Sequence, residues 1–177
     1  MKILIISGTN RTHSASMAVS RHLHQLYSSR FDCEILSLCD LPHDLLTQNF
    51  YSQRHPEILA IVEKIKSTDV LQFILPEYHG SFPGIVKFFL DLMPSSTFKY
   101  KRVAIIGVSD GHAGNMRGID HFTGVMHYLR ANVISFFPKI SHVQLMIENE
   151  IFMPDERVQK LLAELSEEIR KADKISS

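Results

Sequence analysis

Short apolar runs alternate along the chain with longer segments in which apolar residues recur every three or four positions. The short runs have the pattern of strands buried in a sheet. They predict five β-strands, over residues 3–6, 31–38, 70–75, 102–108 and 133–137. The longer segments predict α-helices with one buried face. These cover residues 14–27, 84–92, 116–129 and 155–174, with a further helix that begins at Pro56 and carries an apolar stripe to Ile65.

Two connections show no clear periodicity. Residues 39–55 are expected to be irregular, and residues 140–146 are expected to form a short extended piece. The strict alternation of strands and helices indicates βαβ crossovers, which produce a parallel sheet with helices on both faces. In such sheets the ligand site lies outside the carboxyl ends of the strands. The loops after the first, third and fourth strands are therefore the candidates for chemistry.

The composition narrows the class of protein. The 177 residues fit one domain, spanning residues 1–177, and 19 basic residues balance 19 acidic ones. A net charge of zero gives no broad field that attracts nucleic acid or an anionic membrane, so neither partner is expected. No apolar run reaches the length of a membrane span, and the N-terminus lacks a secretory core. A cytoplasmic protein is expected.

Cysteine and histidine usage indicates neither a disulfide nor a metal centre. Cys33 and Cys39 do not have the spacing of a C-x-x-C motif or a zinc site, so two reduced thiols are expected. The ten histidines include no H-E-x-x-H motif or comparable ligand spacing. We expect no metal site.

The loop after the first strand, residues 7–16, is rich in hydroxyl groups and leads into a helix. Free backbone N–H groups and the helix dipole favour an anion there, and Arg11 adds a cation that can pair with it. The loop contains neither the P-loop pattern nor the dinucleotide-binding glycine pattern. Two interpretations stay open: a phosphate-binding loop, or a polar turn in which Ser14 or Ser16 caps the helix.

Two further unusual loops follow the third and fourth strands. In residues 76–84, Tyr78 and His79 could stack on a flat ring or donate hydrogen bonds to it, although a tight turn alone explains the segment equally well. In residues 109–115, glycines would let the backbone approach a ligand closely, with a flexible connection as the alternative.

Taken together, the three loops resemble the NADPH-dependent FMN reductase family, flavodoxin-like proteins that include chromate, quinone and azo-dye reductases. The family's motif G-S-x-R-x-x-S-x-N is similar to residues 8–16, and its motif P-E-Y-N-G-S-x-P-G-x-L-K is similar to residues 76–87. Its S-x-G-x-x-G-G loop is similar to residues 109–115, with Arg117 nearby. The departures from the family pattern are Thr9, Ser16, His79, Val86, Asp110 and Asn115.

The resemblance implies a three-layer, flavodoxin-like α/β sandwich with five parallel strands in the order 2-1-3-4-5 and FMN as cofactor. It assigns the FMN phosphate to Thr9, Arg11, Ser14 and Ser16. It assigns the ribityl chain and the isoalloxazine ring to Pro76, Glu77, Tyr78, His79 and Gly80. It assigns the polar edge of the ring to Ser109, Gly111, His112, Gly114 and Asn115. Asn115 replaces a glycine but tolerates a left-handed backbone better than most residues.

The implied activity is hydride transfer from NAD(P)H to bound FMN, followed by electron transfer to a small-molecule acceptor. Free flavin, a quinone, an azo compound and a metal oxyanion are the implied acceptors. No catalytic side chain is expected, because the flavin supplies the chemistry. A homodimer or homotetramer is implied as well. Two alternatives stay open: a flavodoxin-type electron carrier, which the neutral charge disfavours, and a non-enzymatic flavin- or phosphate-binding protein.

Overall fold

Parallel strands rich in Ile, Leu and Val form the centre of the computed structural model, which describes residues 1–45 and 55–173. The main strands are β1 (Lys2–Ser7), β2 (Asp32–Ser37), β3 (Val70–Pro76), β4 (Arg102–Val108) and β5 (Asn132–Val133). They pair in parallel in the order β2-β1-β3-β4-β5. This order confirms the predicted flavodoxin-like fold.

Helices cover both faces of the sheet because successive strand residues point to opposite sides. The helices are α1 (Ala15–Tyr27), α2 (Pro56–Lys66), α3 (Gly84–Asp91), α4 (Met116–Tyr128) and α5 (Glu156–Asp173). Leu4 and Ile6 of β1 join the core under α2, α3 and α4. Ile3 and Ile5 join the core under α1 and α5. This layering leaves the carboxyl ends of β1, β3 and β4 together at one edge of the sheet.

The fifth strand is shorter than predicted. Instead of one strand over residues 133–137, β4 pairs first with β5 and then with a second short strand, β6 (Lys139–Ile140). Pro138 lies between them and has no N–H to continue the ladder, although its carbonyl accepts from the Gly107 amide at 3.0 Å. Ile134 and Phe136 still pack on the core face opposite to Phe137. The side chains still alternate between the two core faces, but the hydrogen-bonded ladder is interrupted.

The extended piece predicted at residues 140–146 is wrong. After β6 the chain turns through a 3₁₀ helix (Val143–Met146) and enters an antiparallel hairpin of β7 (Ile147–Glu148) and β8 (Ile151–Phe152). The two residues between these strands, Asn149 and Glu150, have φ values of 49° and 65°. A turn with positive φ at both central residues matches the twist of a hairpin. The sequence analysis did not predict this hairpin.

Other predicted boundaries hold within the described residues. The connection predicted as irregular over residues 39–55 contains two 3₁₀ segments, Leu38–Asp40 and His43–Leu45. Its residues 46–54, and residue 174 at the predicted end of the last helix, lie outside the described residues. No helix within residues 1–45 and 55–173 has the length and apolar character needed to span a membrane.

Candidate functional site

A cleft of about 180 Å³ opens at the carboxyl ends of β1, β3 and β4. Eight of the residues singled out from the sequence line it: Thr9, Arg11, Ser14, Ser16, Pro76, Glu77, Tyr78 and Ser109. A larger open depression, about 590 Å³, lies at the amino ends of β4 and β5. Open α/β sheets bind ligands at the carboxyl edge, and the three unusual loops meet there. We therefore assign the site to the smaller cleft.

The first loop ends in the N-terminus of α1, and the structure shows which serine caps that helix. Ser14 is the N-cap, and its Oγ accepts from the Met17 amide at 3.2 Å. Ser16 lies wholly buried, lines the cleft, and its Oγ has no hydrogen-bond partner within the described part of the chain. Leaving a buried hydroxyl unpaired costs about 1–3 kcal/mol, which a bound oxyanion would remove.

Other groups at this helix N-terminus fit the same anion. Among residues 1–45 and 55–173, no group makes a hydrogen bond or ion pair to the Arg11 side chain. The amides of Ala15 and Ser16, in the first turn of α1, donate to no group in those ranges. An unpaired guanidinium, free amides and an orphaned hydroxyl therefore converge on one cleft, which fits a phosphate group. The helix cap and the anion site are compatible, because Ser14 caps the helix and the Ser16 hydroxyl remains for the anion.

The second loop is tied to the first by its tyrosine. The Tyr78 hydroxyl lies 2.7 Å from Thr9 Oγ1, and Thr9 itself is buried. Tyr78 and Ser81 exchange two backbone hydrogen bonds, of 2.9 and 3.1 Å, around His79 and Gly80. The φ values of His79 and Gly80 are 51° and 74°, so this is a tight turn of the primed type. Histidine is among the non-glycine residues enriched at positive φ, as asparagine is.

This turn directs His79 away from the cleft. The His79 side chain is exposed at the tip, and neither His79 nor Gly80 lines the cleft. The adjacent Ser81 Oγ lies 2.9 Å from Nδ1 of His121 on α4. The turn thus rests against α4, and the cleft-facing part of this loop consists of Pro76, Glu77 and Tyr78.

The third loop divides into an open half and a buried half. Ser109 and Asp110 line the cleft, whereas Gly111 and His112 lie beyond its rim and are exposed. Ser109 Oγ donates to the Gly111 carbonyl at 2.8 Å. The amides of Asp110, Gly111 and His112 donate to no group in the described ranges. These three consecutive N–H groups are available to a ligand.

The buried half of the third loop, Gly114 and Asn115, is structural. Asn115 has a φ of 60°, which confirms the left-handed conformation that its position suggested. Its Nδ2 donates to the Leu75 carbonyl at 2.9 Å and so ties the loop to the end of β3. Gly118 makes room for it, because a Cβ there would lie 2.1 Å from Asn115 Oδ1. Neither Gly114 nor Asn115 lines the cleft.

Five lining residues were not predicted as site residues: His13, Ala15, Val108, Asp110 and Val143. His13, Ala15 and Asp110 belong to loops that the sequence singled out, and their polar or turn character was the available signal. Val143 comes from the unpredicted 3₁₀ helix, so no sequence signal indicated it.

The two thiols lie outside this site, and the histidines form no metal centre in the described part of the chain. Cys33 and Cys39 are both free. Burial, reinforced by the charge of Asp32, raises the pKa of the Cys33 thiol to about 11, so it stays protonated and unreactive at neutral pH. Within the described ranges, no group of three or more His, Cys, Asp or Glu side chains is placed to hold a metal ion.

The fold and the cleft define a flavodoxin-like α/β protein with a polar cleft at the carboxyl edge of its sheet. The family model for NADPH-dependent FMN reductases matches residues 1–144, and the chain belongs to that family. As a member it is an NAD(P)H-dependent oxidoreductase with FMN as its cofactor. The predicted family, enzyme class and cofactor are thereby confirmed.

Two curated relatives are azoreductases. The chain is 28% identical over 137 residues to the NADPH azoreductase of Bacillus sp. (strain OY1-2), a match covering 76% of this chain and 73% of that protein. It is 34% identical over 119 residues to the FMN-dependent NADPH-azoreductase of Staphylococcus aureus (strain USA300), which covers 63% of this chain and 62% of that protein.

Solved structures show the same fold at lower identity. FerB from Paracoccus denitrificans, a flavoenzyme NAD(P)H:(acceptor) oxidoreductase, superposes with a TM-score of 0.79 at 20% identity, covering 98% of this chain and 97% of that one. Oxidised flavodoxin 1 from Bacillus cereus superposes with a TM-score of 0.62 at 14% identity, covering 97% and 98%. At these identities the likeness concerns the fold.

Proposed function

We propose that this enzyme passes electrons from NAD(P)H, through FMN, to a small aromatic or oxidised acceptor, with an azo compound or a quinone as the favoured class. Free flavin and metal oxyanions are two further acceptors that the proposal includes. The azoreductase activity of the two relatives named above supports the first choice. The observation that carries the proposal is the convergence of three loops on one cleft, which is lined by Arg11, by the unpaired Ser16 hydroxyl and by Asp110, whose amide donates to no group in the described ranges.

Each loop has a distinct task in this proposal. Thr9, Arg11, Ser14 and Ser16 hold the FMN phosphate through hydroxyl groups, a guanidinium and the N-terminus of α1. Pro76, Glu77 and Tyr78 border the ring system, and the hydrogen bond between the Tyr78 and Thr9 hydroxyl groups fixes their distance from the phosphate end. The FMN, when bound, supplies the hydride and electron chemistry.

The third loop tunes that chemistry electrostatically. Negative charge develops on the polar edge of a flavin when it is reduced, and oriented N–H groups stabilise such charge. The unpaired amides of Asp110, Gly111 and His112 are the groups of this chain that fit the task. In this proposal no side chain of the cleft acts as a nucleophile, because the flavin supplies the chemistry.

Steady-state kinetics test the proposal. Because nicotinamide and acceptor use the same face of one cofactor, double-reciprocal plots of rate against NADPH at several azo-dye or quinone concentrations should be parallel. Intersecting lines would show that both substrates bind together and would contradict the shared site. A protein that oxidises NADPH but reduces none of the four acceptor classes would contradict the proposed substrate class.

We also propose that the enzyme is a homo-oligomer, a dimer or a tetramer, built on the hairpin beside the cleft. Leu145, Ile151 and Met153 are 80%, 63% and 51% exposed, and the Met153 amide donates to the Met146 carbonyl, which brings these residues together. Exposed apolar residues that lie near one another mark contact surfaces, and in this proposal a second copy of the chain covers them. Light scattering of the wild type and of Leu145→Lys with Ile151→Lys would show two masses if this surface joins the copies.

A cytoplasmic location completes the proposal. It is supported by the two free thiols, since reduced cysteines are typical of that compartment. Fractionation of cells that produce the protein would test it.

A further inference from the structure

The ring of His13, in the first loop, is held by an acidic residue far along the chain. His13 Nδ1 lies 2.5 Å from Oε1 of Glu150, at the turn of the β7–β8 hairpin. Arg21 of α1 lies 3.5 Å from the second oxygen of the same carboxylate. The φ value of His13 is 52°, and that of Glu150, in the hairpin turn, is 65°. The β7–β8 hairpin therefore contacts the first loop at the residue immediately before the Ser14 cap.

The chemistry of this pair fixes where the ring protons lie. A carboxylate only accepts hydrogen bonds, so the hydrogen between the two groups belongs to His13 Nδ1. Nε2 is then the ring atom left for a ligand. It carries a lone pair in the neutral ring and an N–H in the cation, so it donates to an anion only when His13 is charged.

The cleft that His13 lines contains other groups suited to binding an anion. His13 lines it together with Ser16, whose wholly buried hydroxyl has no partner in the described ranges. Glu150 of the hairpin contacts His13, Arg21 lies at its far oxygen, and Arg11 of the first loop lines the same cleft as His13. Glu77 and Asp110 line the same cleft from the second and third loops. An oxyanion at this helix N-terminus would leave His13 between two negative groups.

This contact belongs to the individual chain rather than to the family motif. The family match ends at residue 144, before the hairpin that carries Glu150. Position 13 falls on one of the unspecified residues of the family's opening motif. Nothing in the motif therefore accounts for a histidine held by an acidic residue at this point.

We propose that His13, oriented by Glu150, is a further ligand of the FMN phosphate and takes up one proton from solvent when FMN binds. The proton goes to Nε2, which then donates to a phosphate oxygen while Nδ1 donates to Glu150. This proposal rests on the FMN site of the proposed function. His13 is the binding residue, and Glu150 is a positioning residue that acts through it.

Equilibrium binding of FMN and of riboflavin, followed by flavin fluorescence at about pH 6 and about pH 8, tests the assignment. The variants are His13→Gln, Glu150→Gln and the control Glu148→Gln, an exposed residue of the same hairpin whose side chain has no partner in the described ranges. At the lower pH, His13→Gln and Glu150→Gln should each weaken FMN binding by about threefold to tenfold. Riboflavin, which lacks the phosphate, should bind all four proteins alike.

The pH profile separates a proton-linked contact from a merely structural one. Wild-type affinity for FMN should fall between the two pH values relative to His13→Gln, because Nε2 donates to the phosphate only in the charged ring. The second ionisation of the phosphate acts in the opposite direction but is common to all the proteins. In ¹⁵N-histidine spectra of the wild type, which depend on no variant, FMN should move the His13 Nε2 signal towards the protonated position and riboflavin should not.

Each alternative outcome has its own meaning. Equal FMN affinity in wild type, His13→Gln and Glu150→Gln, or an unmoved Nε2 signal, would overturn the assignment and leave the FMN site intact. An equal loss in Glu148→Gln would show that the hairpin matters only as structure, which also overturns it. A wild type that binds no FMN would overturn the proposed function itself.

Discussion

The hydroxyl groups of Tyr78 and Thr9 lie 2.7 Å apart and join two loops that follow different strands of the sheet. In the proposed FMN site Thr9 lies at the phosphate end and Tyr78 lies beside the ring system, so this hydrogen bond holds the two loops at a fixed distance. Tyr78→Phe removes the bond and keeps the ring. It should lower the free energy of unfolding by about 0.5–1.5 kcal/mol and weaken FMN and riboflavin binding alike.

Denaturant unfolding and flavin titration check this prediction. Tyr128→Phe is the matched control, because Tyr128 is 86% exposed on α4 and lies outside the cleft. A Tyr78→Phe variant that loses affinity for FMN but not for riboflavin would place Tyr78 at the phosphate instead.

Arg11 is the one lysine or arginine of the first loop, residues 7–16. Arg11→Ala should remove a charge-assisted contact of about 1.5–3 kcal/mol, which is roughly 10- to 150-fold in FMN affinity. Riboflavin affinity should change far less, and Arg11→Lys should retain part of the FMN affinity. Arg157→Ala, on the exposed side of α5, should change neither. Equal losses for the two flavins on Arg11→Ala would place Arg11 away from the phosphate.

Ser16 should show opposite effects in the two states of the protein. Without flavin, Ser16→Ala removes a buried hydroxyl that has no partner in the described ranges and adds a better helix former, so the melting temperature should be equal or higher. With FMN, the same change removes a phosphate ligand and should weaken binding roughly tenfold. Calorimetric melting with and without FMN measures both. A lower melting temperature without flavin would show that the hydroxyl already has a partner.

Asn115 is expected to act on stability rather than on flavin contact. Asn115→Ala loses the hydrogen bond to Leu75 and places alanine at a φ of 60°, so it should cost about 2–3 kcal/mol of unfolding free energy. Asn115→Gly keeps the conformation and loses only the hydrogen bond, so it should cost less. If the two variants were equally stable, the left-handed backbone would carry no cost at this position.

The sequence predicts those parts of the fold whose signals are local. β1 is apolar between its first and last residues, β4 is apolar after its first residue, and β3 is apolar apart from Gln72, a pattern typical of strands buried on both faces. The same pattern does not predict the division of the fifth strand into β5 and β6. Pro138 interrupts the hydrogen-bonded ladder, while the side chains still alternate between the two buried faces. The β7–β8 hairpin has strands of two residues and a turn of Asn149 and Glu150 rather than asparagine and glycine, so it lacks the usual sequence signal.

The candidate site, like the fold, could be predicted only in part. Parallel topology brings the loops after β1, β3 and β4 to one edge, so their convergence is predictable from the order of elements alone. Which side chains face the cleft is decided by backbone conformation, and a positive φ directs His79 outwards and places Asn115 in the interior. The contact between His13 and Glu150 joins residues 137 positions apart through an unpredicted hairpin, so only the folded chain brings it to light.

The central claim is that one FMN site at the carboxyl edge of the sheet accepts hydride from nicotinamide and passes electrons to a small acceptor. Anaerobic stopped-flow absorbance of the FMN-loaded protein tests it most directly. Mixing with NADPH should bleach the flavin bands, and subsequent mixing with a quinone or an azo dye should restore them as the acceptor is reduced. Flavin bands that persist after mixing with either NADPH or NADH would contradict the claim.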